Sequence, residues 1–365
     1  MSRIVAAMSG GVDSSVAAAL LAQSAAREDE VIGVWMRTHP ADAEGWESRR
    51  SCCSPDAADD ARRVAQILGI PFFILNVEEA FGARVIDAFA DAYLAGSTPN
   101  PCQACNQHIK FDELLRRGLG AYGASAVATG HYARVEWREG RWRLLRAADA
   151  NKDQTYFLWV LTQAQLAATR FPLGAMTKPQ VRAMAASLDL PTADKPESQE
   201  ICFVAGGDYH ALLAERRGYA ATPGPIVDAT GSVLGEHTGY AHYTVGQRHG
   251  LGIALGEAVY VREVEPATNT VVIGRRDEVA THRFEVSGRH FIAGDPPAER
   301  FEASVRIRHR APDVACEVTI ASDDRLAIET AEPVWAPAPG QGAVLYDGEE
   351  CLGGGRIARP RPPAG

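Results

Sequence analysis

Residues Met8-Ser9-Gly10-Gly11-Val12-Asp13-Ser14-Ser15 gather paired glycines, three hydroxyls and a carboxylate where an apolar run, Ile4 to Ala7, meets an Ala/Leu-rich run, Val16 to Leu21. That grouping suits a phosphate. Paired glycines let the backbone turn tightly and approach a ligand, and the N-terminus of a following helix offers unpaired N–H groups and a positive dipole end to an anion. Ser9, Ser14 and Ser15 add hydroxyl donors, and Asp13 is expected to hold a magnesium ion bridging phosphate oxygens. The Gly-Lys-Ser/Thr ending of a Walker A loop is missing; the segment reads S-G-G-x-D-S. A glycine turn that merely joins strand to helix would not call for three hydroxyls. Sulfur offers a second chemistry. Cys102-Gln103-Ala104-Cys105 follows Asn100-Pro101 at a helix start, where the dipole favours thiolate over thiol, and Cys202 lies in a polar stretch, Lys195 to Phe203.

The elements that position these groups alternate between strand and helix. Val31 to Met36 and Pro71 to Leu75 read as buried strands separated by a helical pattern from Ala57 to Leu68. This βαβ rhythm predicts a doubly wound parallel sheet with ligands at the carboxyl ends of its strands. Ala126 to Ala128 predicts another strand, which delivers Gly130 and His131 to the same edge; a hairpin (135–137 with 142–145) follows. A helix is expected from Glu78 to about Ala95 and another after Thr177, with Pro179 in its first turn. Residues 37–56, including Cys52-Cys53, read as a mobile loop, and 359–365 as a disordered tail. From about Gly206 the rhythm ends. The expected fold is therefore α/β: an N-terminal catalytic domain over 1–205, a small central domain over 206–282 and a C-terminal antiparallel β-barrel over 283–365. Arg306, Arg308 and Arg310 lie two apart, which on one strand face makes a row for phosphate contact.

Composition sets the limits. A chain of 365 residues with net charge -9 is too long for one ordinary core and too acidic to bind nucleic acid diffusely, although a local basic surface is compatible with it. No run of eighteen apolar residues and no leader pattern is present, so a cytoplasmic protein without a membrane span is expected. Seven cysteines, an odd number in a long chain, favour thiol chemistry or metal binding over a disulfide framework. Of 37 basic residues only Lys110, Lys152, Lys178 and Lys195 are lysine. Where an arginine-preferring chain keeps lysine, a compact ammonium or slimmer stem is needed.

The S-G-G-x-D-S loop resembles the pyrophosphate-binding loop (PP-loop) of the ATP pyrophosphatase group, which cleaves ATP between its α and β phosphates and leaves AMP on a substrate oxygen. With Cys-x-x-Cys-Asn (102–106), Thr-Gly-His-Tyr (129–132), Lys-Asp-Gln-x-Tyr-Phe-Leu (152–158) and Ile-Cys-Phe (201–203) in that order, the chain from Arg3 to about Gly355 resembles the tRNA-specific 2-thiouridylases. All four lysines fall in matching stretches. The resemblance implies a sulfurtransferase that adenylates the C2 oxygen of wobble uridine 34 with ATP and magnesium. A cysteine persulfide then supplies the sulfur, giving 2-thiouridine, AMP and pyrophosphate. It implies ATP contacts at Ala7, Met8, Ser9, Gly10, Gly11, Val12, Asp13, Ser14, Met36 and Gly130. Cys202 would carry the persulfide, and Cys105 would be the nucleophile that releases the sulfur or closes a disulfide with Cys202 afterwards. tRNA contacts would fall on His131, Lys152, Asp153, Gln154, Arg308, His309 and Gln341, with the target base flipped out of its stack. Expected partners are tRNA and a cysteine desulfurase or sulfur carrier, and the enzyme itself is expected as a monomer.

One departure matters. The family pattern Asn-Pro-Asp-x-x-Cys-Asn reads Asn100-Pro101-Cys102-Gln103-Ala104-Cys105-Asn106 here, so Cys102 replaces the proposed acid/base. Two alternatives follow. Cys102, Cys105 and Cys202 would ligate three irons of a [4Fe-4S] cluster in one; the other is a different synthetase of the group that adenylates a small molecule.

Overall fold

The computed structural model describes residues 2–24, 29–39, 54–197, 201–204, 208–322 and 324–360. Cys52-Cys53, most of the expected loop over 37–56 and residues 361–365 of the expected tail lie outside them. The N-terminal sheet runs β1 (Ser2–Ala7), β2 (Asp29–Arg37), β3 (Phe72–Asn76) and β4 (Ala126–Ala128). Next come the hairpin β5 (Arg134–Arg138) and β6 (Arg141–Leu145), then β7 (Thr169–Arg170), which returns to the sheet. Its order is β3-β2-β1-β4-β7, all parallel, so the winding reverses between β1 and β4. In an open sheet of this kind the crevice at the reversal is the ligand site, and the loops after β1 and β4 flank it.

Helix α1 (Val12–Ser24) buries Val16, Ala17, Ala18 and Ala19 against one face of the sheet. Its small side chains let it lie close to the strands, which a bulkier run would prevent. Helix α2 (Pro55–Leu68) starts where Ser54 accepts from the Ala57 N–H and Pro55 fixes the first turn; it ends at Gly69 in the left-handed conformation. The long helix expected from Glu78 is present but wound in three pieces, with a π-type middle over Gly82–Asp87.

The central domain is a four-stranded sheet of β8 (Gly224–Val227), β9 (Val233–His237), β10 (Tyr260–Glu265) and β11 (Thr270–Gly274), in the order β10-β11-β8-β9. Tyr240 ties it to the N-terminal domain, its hydroxyl donating to Leu94 O at 2.9 Å. The barrel consists of β12 (Ala280–Phe291), β13 (Arg300–Arg306), β14 (Val314–Ser322), β15 (Arg325–Trp335), β16 (Gly342–Asp347) and β17 (Glu350–Ile357). It closes through β12–β17 pairing around Val286, Val318, Leu326, Ile328 and Leu345. Closure removes the exposed edges that an open sheet of this size would carry.

Two features depart from the sequence reading. The hairpin β5–β6 belongs to the barrel sheet, since Leu144 and Leu145 pair with Cys351 and Glu350 of β17. The arginine row does not exist. β13 stops at Arg306 and a turn follows, closed by Ala311 N–H to Arg308 O, so Arg308 and Arg310 are not on a strand face. Alternation predicts one face only while the chain stays extended.

Candidate functional site

The loop after β1 is shaped by three glycines. Gly10 takes φ +69°, and a Cβ there would lie 2.1 Å from Ala57 O, so only glycine passes beneath α2. Gly11 is open, with Ser9 Oγ its nearest neighbour at 3.6 Å. Gly130, after β4, rests on the start of α1; a Cβ would meet Ser14 N at 2.7 Å. The hydroxyls predicted to face phosphate have a second use as braces. Ser14 Oγ donates to Gly11 O at 3.0 Å and accepts from the Ser9 N–H and Ser9 Oγ, while Ser15 Oγ donates to Gly11 O at 2.9 Å. Met8 and Val12 turn their side chains into the core, and Met8 N–H is bonded to Val34 O, which leaves Met8 only its carbonyl for a ligand. Ala7 and Met36, at the ends of β1 and β2, are half-buried.

Three of the four lysines converge on this loop. Lys195 Nζ donates to Gly10 O at 2.9 Å and pairs with Asp60 of α2 at 2.6 Å. Lys178, almost fully buried at the start of the helix Lys178–Ser187, grips both oxygens of Asp13 at 2.7 and 2.8 Å and Glu197 at 2.8 Å. Lys152 takes the other Glu197 oxygen at 2.7 Å. Tyr132 donates its hydroxyl to Asp13 Oδ1 at 2.8 Å; burial and the Asp13 charge raise its pKa, keeping it a donor. Asp13 is therefore held in place by Lys178 and Tyr132 at the first turn of α1. Burial pushes the Glu197 carboxyl up, but the two ammoniums more than reverse this and hold it at about 2. Lys178, Lys195, Glu197 and Tyr132 were not singled out as site residues from sequence. The signal for the two lysines was present in the scarcity of lysine; their acidic partners are 165 and 135 residues away in the chain.

Cys102 and Cys105 open a helix, Pro101–Cys105, capped by Asn100, whose side chain accepts from the Gln103 N–H. The helix continues as a wide π-turn over Asn106–Leu114, a geometry frequent at functional sites. Cys102 is exposed and Cys105 half-buried. Cys105 and Cys202 both pack against the same apolar cluster, which contains Phe81, Phe89 and Phe203. Among the described residues no three His, Cys, Asp or Glu side chains are grouped to hold a metal ion, so Cys102, Cys105 and Cys202 do not form a ligand set here. Lys110 of the π-turn reaches His131 Nε2 at 3.5 Å, and Thr129 Oγ1 meets His131 Nδ1 at 2.7 Å. Burial, reinforced by Lys110, drives the His131 pKa well down, so its imidazole is neutral.

The residues expected to touch tRNA divide into two groups. Asp153, Gln154 and Arg308 point inward. Asp153 is 3% exposed and accepts from Ala147 N–H, Thr155 N–H and Thr155 Oγ1, with Arg146 and Arg306 at 3.7 and 3.6 Å. Gln154 Oε1 accepts from Tyr132 N–H, and Arg308 donates to Ala336 O and Val245 O, joining barrel to central domain. Asp153 is buried, whereas Gln154 and Arg308 are half-buried and keep part of their polar surface beyond these bonds. His131 is likewise buried, behind Phe111 and Phe171. Lys152, His309 and Gln341 are half-buried. Gln341 bonds Thr98 O and Pro99 O, just before Cys102, and Tyr156 from the 152–158 segment spans to Gly342 O and Ile307 O. His309 lies 4.6 Å from the Phe157 ring, and its Nδ1, like Asn106 Oδ1 beside Cys105, is buried with no hydrogen-bond partner among the described residues.

A reversed parallel sheet, a glycine loop at its switch point and a closed C-terminal barrel together define a nucleotide-binding α/β enzyme of the PP-loop type. Three family models cover the chain: tRNA methyl transferase HUP domain over 2–206, tRNA methyl transferase PRC-barrel domain over 211–275 and aminomethyltransferase beta-barrel domain over 281–357. The tRNA-specific 2-thiouridylase MnmA of Carboxydothermus hydrogenoformans is 48% identical over 360 residues, 98% of each chain. That of Geotalea uraniireducens is 49% identical over 360 residues, 97% of this chain and 94% of the other. The chain belongs to the tRNA-specific 2-thiouridylase family. Its likeness to the U34-tRNA thiolase NcsA of Methanococcus maripaludis with its [4Fe-4S] cluster is weak: TM-score 0.36 and 18% identity over 59% of this chain and 63% of that one. A superposition that loose carries no argument about fold or cluster. Among the described residues no helix is long and apolar enough to cross a membrane.

Proposed function

We propose that this chain is a tRNA 2-thiouridylase that uses ATP to activate the C2 oxygen of wobble uridine 34 and replaces that oxygen with sulfur. One observation carries the reading: Cys105 and Cys202 pack against one apolar cluster that also takes in Val5 and Ala7 of β1, the strand leading into the phosphate loop. Ahead of Cys202 in the chain, Lys195 bonds Gly10 O and Glu197 bonds Lys178. The Cys105 helix is held through Lys110 on His131, next to Gly130, which packs against Ser14 N.

The chemistry needs that proximity. The uridine C2 oxygen is a poor leaving group. Its attack on the α-phosphorus of ATP expels pyrophosphate and turns later departure into release of AMP. The loop at Ser9 to Ser14, the α1 N-terminus and the ammoniums of Lys178 and Lys195 support the triphosphate. Magnesium would arrive with the nucleotide as its counter-ion and offset the charge of the phosphates. Cys202 carries the persulfide, whose outer sulfur is transferred to C2. Cys105 thiolate attacks the inner sulfur of the Cys202 persulfide, forming a Cys105–Cys202 disulfide as hydrosulfide leaves, and a thiol reductant resets the pair. Asn106 Oδ1 and His309 Nδ1 supply buried, unpartnered polar atoms for an extruded base. The exposed Arg310 offers positive charge to tRNA phosphates. A cysteine desulfurase or sulfur carrier supplies the persulfide. The family models carry methyl transferase descriptions, but the 2-thiouridylase relatives and two thiols packed against one cluster suit adenylation and sulfur transfer. The test is incubation with unmodified tRNA, ATP, magnesium and a persulfide source. Appearance of 2-thiouridine with stoichiometric AMP and pyrophosphate supports the reading, and its absence from an ATP-cleaving preparation refutes it.

A further inference from the structure

Glu197 occupies an unusual position for a carboxylate, beside a loop built for anions. One oxygen faces Lys178 Nζ at 2.8 Å and the other faces Lys152 Nζ at 2.7 Å. Lys178 in turn holds Asp13 in the first turn of α1. Two ammoniums thus each take one oxygen of a single anionic group, the way a pair of lysines takes two oxygens of a phosphoryl group. The two lysines come from segments far apart in sequence, and what joins them is this carboxylate. Three carboxylates, Asp13, Glu197 and Asp149, which accepts from Lys178 N–H at 2.9 Å, stand around the two ammoniums.

We infer that the Lys152–Lys178 pair is a subsite for the outer phosphates of ATP and for released pyrophosphate, and that Glu197 is its resident competitor, displaced when those phosphates bind. The inference rests on reading the Gly10 loop as an ATP site. A polyphosphate carries more charge and more acceptor oxygens than a carboxylate, so it wins the two ammoniums when it arrives and yields them to Glu197 when it leaves. The carboxylate lowers pyrophosphate affinity and so favours product release. Lysine suits this exchange, because an ammonium on a flexible stem swings between acceptors more readily than a guanidinium fork.

The test is titration calorimetry of the full chain with inorganic pyrophosphate and separately with AMP, comparing wild type with Glu197→Gln at fixed ionic strength. The amide keeps the shape and removes the competing charge. Pyrophosphate is expected to bind about tenfold tighter or more to the variant, with AMP affinity unchanged. Unchanged or weaker pyrophosphate binding by folded variant overturns the inference, as does equal tightening of AMP, which would mark a general charge effect. Should Glu197→Gln not fold, Glu197→Ser gives the same comparison. The two readings fail separately: 2-thiouridine formation by wild type with no pyrophosphate effect removes only the subsite. A pyrophosphate effect without 2-thiouridine removes only the thiolation.

Discussion

Replacing Gly130 with alanine tests whether the approach of the β4 loop to α1 sets nucleotide affinity. The added Cβ would sit 2.7 Å from Ser14 N, 2.8 Å from Asp13 C and 3.0 Å from Asp13 O, all backbone atoms of the helix start. Backbone cannot rotate aside as a side chain can, so the loop or the helix must move by several tenths of an ångström. Overpacking of this kind costs about 1–3 kcal/mol. If the cost falls on the phosphate-holding geometry, ATP affinity drops roughly 5- to 150-fold, at 1.4 kcal/mol per factor of ten. The control is Gly120→Ala, at a helix position where a Cβ meets nothing within 4 Å. ATP affinity by calorimetry and the melting temperature of both variants make the measurement. Wild-type ATP affinity in G130A would refute the reasoning, whether or not its melting temperature falls.

Four further outcomes are expected. Cys105→Ser and Cys202→Ser each lose 2-thiouridine formation by on the order of a thousandfold or more while tRNA-stimulated pyrophosphate release continues, because activation precedes sulfur transfer; loss of both activities together would contradict that order. Cys102→Ser keeps thiolation, and wild type purified without oxygen is colourless and iron-free; a brown, iron-containing protein inactivated by C102S would restore the cluster alternative. Asp153→Ala unfolds more easily by roughly 1–3 kcal/mol in denaturant, since it leaves the buried Ala147 N–H, Thr155 N–H and Thr155 hydroxyl without their acceptor while Arg146 and Arg306 keep Asp313; weakened tRNA binding at unchanged stability would place Asp153 on the RNA surface. His131, held neutral by burial and by Lys110, has a folded pKa below its unfolded value, so its contribution is full above pH 6.5 and falls as pH drops, because only the unfolded chain takes up the proton. The expected slope is about 1.4 kcal/mol per pH unit below pH 6.5 for one proton, and His131→Gln should remove it; an identical pH–stability curve for H131Q would show that His131 titrates in the folded protein.

The parallel sheet and the glycine loop were legible in sequence because each is local: an apolar run, a turn and an Ala-rich helix lie within about twenty residues. What the sequence could not show was pairing at a distance. Leu144 joins Cys351 across more than two hundred residues, and nothing in the hairpin distinguishes an independent flap from two more barrel strands. The arginine row failed for a related reason. Ile307-Arg308-His309-Arg310 holds neither glycine nor proline, and the turn signal, Pro312-Asp313, comes only after it, so alternation carried the strand too far. The lysines were read as special by their rarity, while their partners stayed invisible until folding brought Asp13 to Lys178.

The division between the two basic residue types follows from what each charge must do. Arg146 and Arg306 fix Asp153 and Asp313 and cover the Tyr346 ring, with centroid distances of 3.7 and 5.5 Å; Arg308 lies over Trp335. These contacts use a planar fork that stacks and bonds at once, and they have no reason to change during a reaction. Lys152, Lys178 and Lys195 instead hold Glu197, Asp13 and the Gly10 carbonyl around the glycine loop. An ammonium there can give up a carboxylate for a phosphate without breaking a stack or a bidentate pair. Arginine thus supplies the framework and lysine the exchangeable charge, which explains why a chain with 37 basic residues keeps lysine in so few places and sets three of them around one loop.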